Sequence, residues 1–476
     1  MTTKGTVRNV RWEEKEFLRY LDWVRSLYPT AREVDLDEVV EYHKTVIGVR
    51  NFPEVYRRAR EENRILMQPR FGVATIDGQI EAFRYLVDET DVDLLTMSCD
   101  TYTRRLQFKQ AERGLQESLE QGRSMLNGFP AVLHGVQGTR RVVESVDQPV
   151  GGRGATATPQ LYNTIMLAGG ATEFNGSALA FALNCDARTP ILDAIHNAQF
   201  VDRLLGYLQE RGADVCKESS TIVSGTIVPP SIAVVCGVLE ILLAAEQGVK
   251  HHCVAYPLNS AMVQDIAGIR VLKQMCRSYA DDFGYTDVTI TPAVHHWLGP
   301  FPEDRARALA RISFDSAITA YAGVTKVLVK SPEEGLGTPT KEGTAEGLNA
   351  TRHVLDMLRG QEFPQSEQME EEARIIGREA KAILDAVMEL GSGDLAAGIS
   401  QAFQTGVLEF PYSVNMHNAG KTLVARDHTR AVRFLDTGNL PFDKEIVEYH
   451  RRKMVEQRRG RDDYELVIED IRAKVI

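Results

Sequence analysis

The amino-acid sequence predicts a (β/α)8 barrel, an α/β fold, on three observations. Short β-rich runs alternate with amphipathic helical stretches from about residue 64 onward, which is typical of βαβ units and a parallel sheet. About eight such units fall within roughly 280 residues, which suits a closed barrel better than an open sheet. No GxGxxG motif opens a helix after the first strand, which disfavours a dinucleotide-binding fold.

The barrel is predicted to carry an extension at each end. Residues 1–60 are charged and helical in pattern, and we expect an N-terminal helical arm that packs on another part of the protein. Residues 61–400 are assigned to the barrel, with further helices at Thr340–Arg359 and Gln365–Leu390. Residues 401–476 are predicted to form a C-terminal extension, irregular and rich in aromatic residues.

Eight short apolar or β-branched runs are predicted as strands, and the amphipathic stretches between them as helices. The strands are Ile65–Gln68, Leu94–Ser98, Ala131–Leu133, Ile165–Ala168, Thr221–Ile227, Cys253–Tyr256, Val288–Ala293 and Thr325–Val329. The helices are Thr103–Met125, Ile191–Arg211, Ile232–Gly248, Ser260–Tyr279 and Asp304–Tyr321. Side chains at the carboxyl ends of the strands are then the candidates for chemistry.

Composition and charge argue against several classes of protein. The net charge of −11 is not offset by a basic stripe, which disfavours a nucleic-acid binder; the basic residues of 451–461 alternate with acids and are predicted as a solvated helix face. The chain opens without a secretory signal, and no apolar run approaches the ~20 residues that span a bilayer. The six cysteines include no CxxC pair, so we expect reduced thiols and a cytoplasmic location.

Three arginines lie in short segments flanked by glycine or proline, near the ends of predicted strands. They are Arg70 in Gln68-Pro-Arg-Phe-Gly-Val, Arg104 in Asp100-Thr-Tyr-Thr-Arg and Arg153 in Gly151-Gly-Arg-Gly. A guanidinium fixed at a strand end can bind a carboxylate through two parallel hydrogen bonds. Burying three of them is costly unless acidic partners or an anionic ligand pair with them. Three converging arginines would suit a substrate with two carboxylates.

The histidine pairs do not predict a metal site. His251-His252 and His295-His296 each occupy adjacent positions of a predicted strand or its end. Adjacent strand residues point to opposite faces, so neither pair can readily chelate one ion. The sequence contains no HxH, HExxH or Cys/His cluster, and no metal ligand is therefore predicted.

Two further segments have open interpretations. Asn415-Met-His417-Asn-Ala-Gly420 differs by one residue from the DxHxxG signature that presents a histidine to cobalt in cobalamin-binding domains. Only 56 of the 476 residues follow Gly420, too few for such a domain, and Asn replaces the Asp that orients the imidazole. We interpret the match as a coincidence.

Lys330, at the end of Val-Leu-Val-Lys, could form a Schiff base or hydrogen-bond a ribose or phosphate.

With these segments, the chain resembles the large (epsilon) component of glutamate mutase, also called methylaspartate mutase, over nearly its whole length. The Arg70 and Arg104 segments belong to the resemblance. Further matching segments are Gly122-Arg-Ser-Met-Leu-Asn-Gly-Phe-Pro, Gly225-Thr-Ile-Val-Pro-Pro-Ser, Leu242-Leu-Ala-Ala-Glu-Gln-Gly-Val-Lys, Gln264-Asp-Ile-Ala, Thr325-Lys-Val-Leu-Val-Lys, Pro339-Thr-Lys-Glu and Asn418-Ala-Gly-Lys.

The resemblance implies a (β/α)8 barrel that caps a separate small cobalamin-binding subunit, in a heterotetramer of two large and two small chains. The cofactor is then adenosylcobalamin, with its cobalt ligated by a histidine of the small subunit. Homolysis of the cobalt–carbon bond would yield an adenosyl radical that abstracts a substrate hydrogen. The carbon skeleton would then rearrange between glutamate and 3-methylaspartate, while the barrel holds the fragments and shields them from solvent.

The resemblance also implies roles for individual residues. Arg70, Arg104 and Arg153 match the family's arginine claw on the substrate carboxylates, with Arg104 also a catalytic candidate. Lys330 and Glu334 match residues that contact the adenosyl ribose. The remaining positions expected at the cofactor are Gly72, Asn127, Asn184, Phe301 and Thr338.

The sequence departs from the family where the substrate's amine would lie. After the shared Ala-Gly-Gly, the family places a glutamate and two tyrosines, and this chain has Asn175, Phe181 and Cys185 instead. Asn184 replaces a proline, and Gly154 replaces the histidine after the third arginine. Losing a carboxylate beside an ammonium costs a charge-assisted hydrogen bond, roughly 1.5–3 kcal/mol. Asn175, Phe181, Cys185 and Gly154 form the candidate substrate wall, with Asn175 and its neighbour Glu173 also catalytic candidates, whereas Asn184 is expected at the cofactor.

Three hypotheses remain open. The chain is a glutamate mutase with an altered pocket, in which Glu173, two residues before Asn175, takes the role of the lost glutamate. Alternatively, it is a cobalamin mutase for a different dicarboxylate, without the amine or with a bulkier substituent. The third hypothesis is a degenerate subunit that does no chemistry, which the retention of the three arginines with Lys330 and Glu334 disfavours.

Overall fold

The computed structural model describes residues 7–223, 225–458, 462–463 and 465–467. Eight parallel strands form one sheet in the order β1-β8-β7-β6-β5-β4-β3-β2. Main-chain hydrogen bonds from Leu94 N to Met67 O (3.2 Å) and from Ser98 N to Phe71 O (2.8 Å) link the first two strands across the remaining gap. The predicted (β/α)8 barrel is confirmed. Its strands are β1 Leu66–Pro69, β2 Leu95–Ser98, β3 Val150–Arg153, β4 Glu173–Asn175, β5 Cys216–Ser220, β6 His251–Pro257, β7 Thr289–His295 and β8 Lys326–Val329.

Helices surround the sheet and extend it at both ends. The N-terminal arm contains α1 Glu14–Ser26, α2 Leu36–Tyr42 and α3 Phe52–Glu61, with a 3-10 turn at Pro29–Glu33 and a π turn at His43–Ile47. The helices between and after the strands are α4 Ile76–Glu89, α5 Thr101–Arg104, α6 Phe108–Gln121, α7 Ala131–Val143, α8 Gln160–Ala168, α9 Ala178–Cys185, α10 Ile191–Glu210, α11 Pro230–Glu246, α12 Met262–Asp282, α13 Arg305–Tyr321 and α14 Lys341–Met357. Beyond them lie α15 Glu367–Gly391, α16 Leu395–Thr405, strands β9 Leu423–Arg426 and β10 Val432–Asp436, and α17 Lys444–Arg458.

Three of the predicted strands are wrong. Residues 131–133 begin α7 and residues 165–168 end α8, because these apolar runs belong to helices that are buried on most of their surface. The true strands there, β3 and β4, escape a hydrophobicity pattern because they read Val-Gly-Gly-Arg and Glu-Phe-Asn. The strand predicted at 221–227 follows β5, whose sequence Cys-Lys-Glu-Ser-Ser is polar yet wholly buried.

The N-terminal arm closes the amino end of the barrel. Phe17 of α1 stacks on Phe200 of α10, with ring centroids 5.7 Å apart. The rings of Phe52 and Tyr56 in α3 lie 5.7 and 5.5 Å from the ammonium of Lys326 in β8. The predicted arm therefore packs on the barrel itself and plugs the end opposite to the carboxyl ends of the strands.

The C-terminal extension is more regular than the sequence indicates. It contains the antiparallel pair β9–β10 and the helix α17. Buried Arg433 of β10 pairs with Glu372 of α15 and with Asp427, which fixes the pair against the helices. Of the predicted basic helix face, Arg451 is exposed and pairs with Glu448, whereas residues 459–461 lie outside the described residues. The division of the chain at residues 60 and 400 stays a prediction.

The cysteines form no disulfide among the described residues. All six cysteines are free, and all but Cys185 are buried. Among the helices that the structure describes, none is both long and apolar enough to cross a bilayer.

Candidate active site

A cavity of about 370 Å³ lies at the carboxyl ends of the strands. All three predicted arginines line it: Arg70 directly after β1, Arg104 at the end of α5, and Arg153 at the end of β3. The other lining residues are Phe71, Gly72, Ser98, Cys99, Asn127, Ala155, Asn175, Phe181, Val223, His295, Glu334, Gly337, Thr338 and Pro339. The barrel topology thus gathers segments far apart in sequence around one small space.

Of the three arginines that line the cavity, Arg70 has the fewest hydrogen-bond partners. It makes no hydrogen bond or ion pair of ordinary length within the described residues. Burial lowers the pKa of Arg70, and the nearby charges of Arg153 and Arg104 lower it further, while Glu334 opposes them. The donors of Arg70 therefore remain available to a ligand, and its environment favours an added negative charge.

Arg104 is held in place by a short chain of hydrogen bonds. Its Nη2 donates to Thr101 Oγ1 at 2.9 Å. The same hydroxyl accepts from Asn127 Nδ2 at 2.8 Å, and Asn127 Oδ1 accepts from the main-chain N of Thr101 at 2.9 Å. Asp100 caps α5 through the main-chain N–H groups of Tyr102 and Thr103. One end of the guanidinium is thus fixed, and its other donors are open to the cavity.

Arg153 belongs to a row of paired residues on three adjacent strands. The sheet register aligns Arg153 with Asn175 on β4, and Asn175 with Glu218 on β5. Arg153 Nη1 lies 2.6 Å and Asn175 Nδ2 lies 2.5 Å from the same Glu218 oxygen, Oε1. Burial acts to raise the pKa of Glu218, but the charges of Arg153 and Lys326 outweigh it and hold the pKa at about 2.

Glu173 lies one layer deeper than this row. Because alternate strand residues share a face, Glu173 and Asn175 both point into the barrel, but about 6.6 Å apart along the strand. The Glu173 carboxylate accepts a hydrogen bond from Tyr56 and lies 2.7 Å from Lys326 Nζ. It does not line the cavity. Burial raises the pKa of Glu173, an effect that Lys326 only partly offsets.

One group of potential metal ligands occurs in this deeper layer. Oxygens of Glu173 and Glu218 and the sulfur of Cys253 lie within 4.8 Å of one another. The ammonium of Lys326 contacts both carboxylates. This lysine supplies the positive charge that the two carboxylates need, so the group is accounted for as an ion-pair cluster.

Lys330 and Glu334 form the upper rim of the cavity. Lys330 Nζ lies 2.6 Å from Glu334 Oε2 and 6.0 Å from the ring centroid of Phe301. Burial lowers the pKa of Lys330 to about 8, against the opposing charge of Glu334. Burial acts to raise the pKa of Glu334, but Lys330 and Arg70 reverse this effect and lower it. Thr338 lines the same rim.

Gly72 and Asn127 complete the rim on the side of β1 and β2. A methyl group on Gly72 would lie 2.6 Å from Ser98 O and 3.1 Å from the Gly128 Cα. Only glycine therefore permits the loop after β1 to approach the end of β2 this closely.

The structure brings only part of the predicted substrate wall to the cavity. Asn175 and Phe181 line it, whereas Asn184 and Cys185 line a neighbouring cavity of about 910 Å³ that shares Arg104 and Ala155 with it. Gly154 lines neither: a methyl group there would lie 2.8 Å from the buried ring of Tyr162.

Two further residues belong to the site: Glu218 was not predicted from the sequence, and His295 was expected at the carboxyl end of a strand but was assigned no role. Glu218 was missed because β5 was placed five residues too late. His295 lines the cavity at the end of β7, where its Nδ1 donates to the His296 carbonyl at 3.1 Å. Burial, together with Arg70 and Arg153, lowers the pKa of His295 well below its ordinary value. The imidazole is therefore neutral, and its Nε2 makes no hydrogen bond within the described residues.

The segment Asn415–Gly420 has a structural role. Asn415 is buried, and its Nδ2 donates to the carbonyls of Ala182, Asp186 and Thr189 at 3.0 to 3.1 Å. Its Oδ1 accepts from the main-chain N of His417 at 2.9 Å. These bonds tie the C-terminal extension to α9, which carries part of the wall.

Comparison with known proteins places the chain in one family. The family described as methylaspartate mutase E chain matches residues 48–475. The glutamate mutase epsilon subunit of Desulfitobacterium hafniense is 40% identical over 98% of this chain and 97% of its own length. The glutamate mutase epsilon subunits of Treponema denticola and Escherichia coli O157:H7 are 38% and 36% identical, each over 98% of this chain, and over 97% and 98% of their own lengths.

These matches span the arm, the barrel and the extension together. An enzyme of this family is an isomerase, more narrowly an intramolecular transferase. The chain belongs to the methylaspartate mutase E chain family, that of the glutamate mutase epsilon subunits.

Proposed function

We propose that this chain is the large catalytic subunit of an adenosylcobalamin-dependent carbon-skeleton mutase that acts on a small dicarboxylate. The observation that carries the proposal is the convergence of Arg70, Arg104 and Arg153 on one cavity at the carboxyl ends of the strands. Donors on three separate elements can hold two carboxylates at a fixed separation, which a rearrangement of the carbon between them requires.

The residues around the cavity fit the adenosyl group of the cofactor. Lys330 and Glu334 offer a buried donor and acceptor 2.6 Å apart, which suits the vicinal hydroxyls of a ribose. Beside this rim, a second cavity of about 1100 Å³ shares Phe71, Asn127 and Thr338 with the first, so the two cavities adjoin. When bound, adenosylcobalamin supplies a carbon-centred radical by homolysis of its cobalt–carbon bond.

The chain's own contribution is to bind, orient and exclude water. The arginines fix the substrate by its carboxylates, and Asn127 fixes Arg104 through Thr101. Preorganised donors in a poorly solvated cavity hold both ends of the substrate while its middle reacts.

The cobalt ligand is proposed to come from a separate small subunit, in an assembly of two large and two small chains. In this chain, the segment Asn415–Gly420 resembles the DxHxxG signature, but its Asn415 Nδ2 donates hydrogen bonds to the carbonyls of Ala182, Asp186 and Thr189. Asn415 therefore has a structural role. The names of the relatives, each an epsilon subunit, support a partner of a second kind.

The test combines the full chain, a cobalamin-binding small subunit, adenosylcobalamin and a panel of dicarboxylates. We expect an electron paramagnetic resonance signal of cob(II)alamin when a fitting dicarboxylate is added. The signal should be absent without the large chain and with a monocarboxylate of the same length. No signal from any dicarboxylate, with a partner that is active with another epsilon subunit, would refute the proposal and favour the degenerate-subunit hypothesis.

A further inference from the structure

We infer that the substrate of this cavity is a dicarboxylate without an ammonium group, so that it binds as a dianion. The inference rests on the proposed function for the meaning of the cavity, but it is carried by the charges around the cavity. Each carboxylate near the cavity already has cationic partners, and two guanidiniums have no carboxylate of their own.

The lower layer of charges is balanced internally. Glu218 accepts from Arg153 and Asn175 on one oxygen and from Lys326 on the other. Lys326 also contacts the carboxylate of Glu173. Two basic and two acidic side chains therefore neutralise one another at most, and both oxygens of Glu218 already accept hydrogen bonds from the protein.

The upper layer is not balanced. Among the described residues that line the cavity, Glu334 is the only carboxylate, and it is paired with Lys330. Arg70 and Arg104 have no carboxylate within ion-pair distance among the described residues. Burial raises the pKa of Asp100, an effect that its hydrogen bonds and the charge of Arg104 only partly oppose. Asp100 caps α5 and does not line the cavity. At least two positive charges thus remain, which a dianion neutralises and a substrate with an ammonium does not.

Two groups that line the cavity, Asn175 and His295, offer it neutral acceptor atoms. The Asn175 amide directs its Nδ2 to Glu218 and to Ser220 Oγ (3.1 Å), which leaves Oδ1 as the free end. His295 donates through Nδ1, so its Nε2 is an acceptor. Neutral acceptors beside guanidiniums suit a substrate that carries a hydroxyl or a hydrogen where glutamate carries its ammonium. An ammonium in this cavity would gain no opposite charge from them.

The deep carboxylate of Glu173 does not replace the lost acid. It would have to leave both Lys326 and Tyr56 and move about 6.6 Å along β4 to reach the level of Asn175. That move would leave Lys326 with one carboxylate in a fully buried layer, at a high cost. The hypothesis that Glu173 rescues glutamate binding is therefore disfavoured by the geometry.

The test measures binding of three diacids of equal chain length to the full chain by isothermal titration calorimetry. Glutarate, 2-hydroxyglutarate and L-glutamate differ at one carbon by hydrogen, hydroxyl and ammonium. We expect the dissociation constants of the first two to lie at least about tenfold below that of glutamate, the penalty for one added positive charge among guanidiniums. Equal or tighter binding of glutamate, or binding of none of the three, would overturn the inference.

Two variants of equal side-chain length separate charge from shape. Asn175→Glu is expected to narrow or reverse the preference, whereas the neutral Asn175→Gln should keep it; circular dichroism checks that both fold. If both variants showed the same ratio of dissociation constants for glutamate and the two dianions, charge at position 175 would not set the preference. If either variant misfolds, the order of the three dissociation constants in the wild type still decides the inference. A complex that binds the dianions in this order but gives no cob(II)alamin would refute the proposed radical chemistry while leaving the inference on charge intact.

Discussion

Glu218→Gln tests whether the buried charge cluster holds the barrel together. Glu218 is fully buried and is contacted by three donors, on Arg153, Asn175 and Lys326. Glutamine has the same shape, but its NH2 group must face at least one of these donors. The substitution therefore removes one negative charge and places an NH2 donor against at least one other donor in a fully buried layer.

The magnitude follows from the pKa of Glu218. The fold lowers it from an ordinary value of 4.5 to about 2, which corresponds to ~3 kcal/mol of stability at pH 7. Because the pKa in the folded state is the lower one, this stability is present above pH 4.5 and is lost as the pH falls towards 2. We expect Glu218→Gln to lose about 3 kcal/mol at pH 7 and to lack this part of the acid dependence.

Urea unfolding followed by tryptophan fluorescence and circular dichroism, at pH 7 and pH 3, measures both effects. Glu173→Gln is the matched control: it lies in the same cluster, but burial raises the pKa of Glu173, so its charged form is not favoured by the fold. We expect Glu173→Gln to lose less than Glu218→Gln. Equal losses, or a larger loss in Glu173→Gln, would refute the assignment of Glu218 as the carboxylate that the cluster stabilises.

Three further predictions concern the ligand, the rim and the extension. Arg104→Lys keeps the positive charge but loses the planar guanidinium that binds a carboxylate through two hydrogen bonds. We expect the affinity for diacids, measured by calorimetry, to fall about 10- to 100-fold. The same change at the exposed neighbour, Arg105→Lys, should leave this affinity unchanged. The pKa of Lys330 is lowered to about 8, so the wild type should gain stability between pH 8 and 10.5 relative to Lys330→Met; parallel unfolding curves of the two would contradict this. Asn415→Ala leaves three carbonyls without their donor and should cost about 1–3 kcal/mol with faster proteolysis of the extension, whereas His417→Ala should leave the cobalamin absorption spectrum of the complex unchanged.

The barrel and the arginines were predictable because their signals are local. Strands that alternate with helices leave a pattern in any stretch of about 30 residues, and Arg70 and Arg153 are flanked by the proline and glycines that tight strand ends require. Three strands, β3, β4 and β5, were missed or misplaced for an equally local reason, and β3 reads Val-Gly-Gly-Arg, which is no apolar run. Polar residues fill the interior of this barrel, so β4 and β5 lack the apolar run by which a buried parallel strand is usually found.

The charge cluster could not be predicted, since its partners are remote in sequence. Glu218 lies 65 positions from Arg153 and 108 from Lys326. Only the sheet register places them side by side, and the register was unknown once β5 was misplaced. The same reason explains why Glu173 looked like a substitute for the lost glutamate: proximity in sequence to Asn175 does not reveal that Lys326 and Tyr56 already hold it.

Gly154 packs directly against the ring of Tyr162, and the energy of this close approach can be measured. A methyl group on Gly154 would lie 2.8 Å from Tyr162 Cδ1, and Tyr162 is buried with its hydroxyl bonded to Met97 O at 2.8 Å. The ring cannot yield without breaking that bond, so Gly154→Ala should cost about 1–3 kcal/mol of stability. In a Tyr162→Leu background the same change should cost little, whereas Gly225→Ala, with open space at its Cβ, is the harmless control. An undiminished cost in the Tyr162→Leu background would show that the ring is not the obstacle. If the coupling holds, no side chain larger than that of glycine fits at position 154 unless Tyr162 changes too.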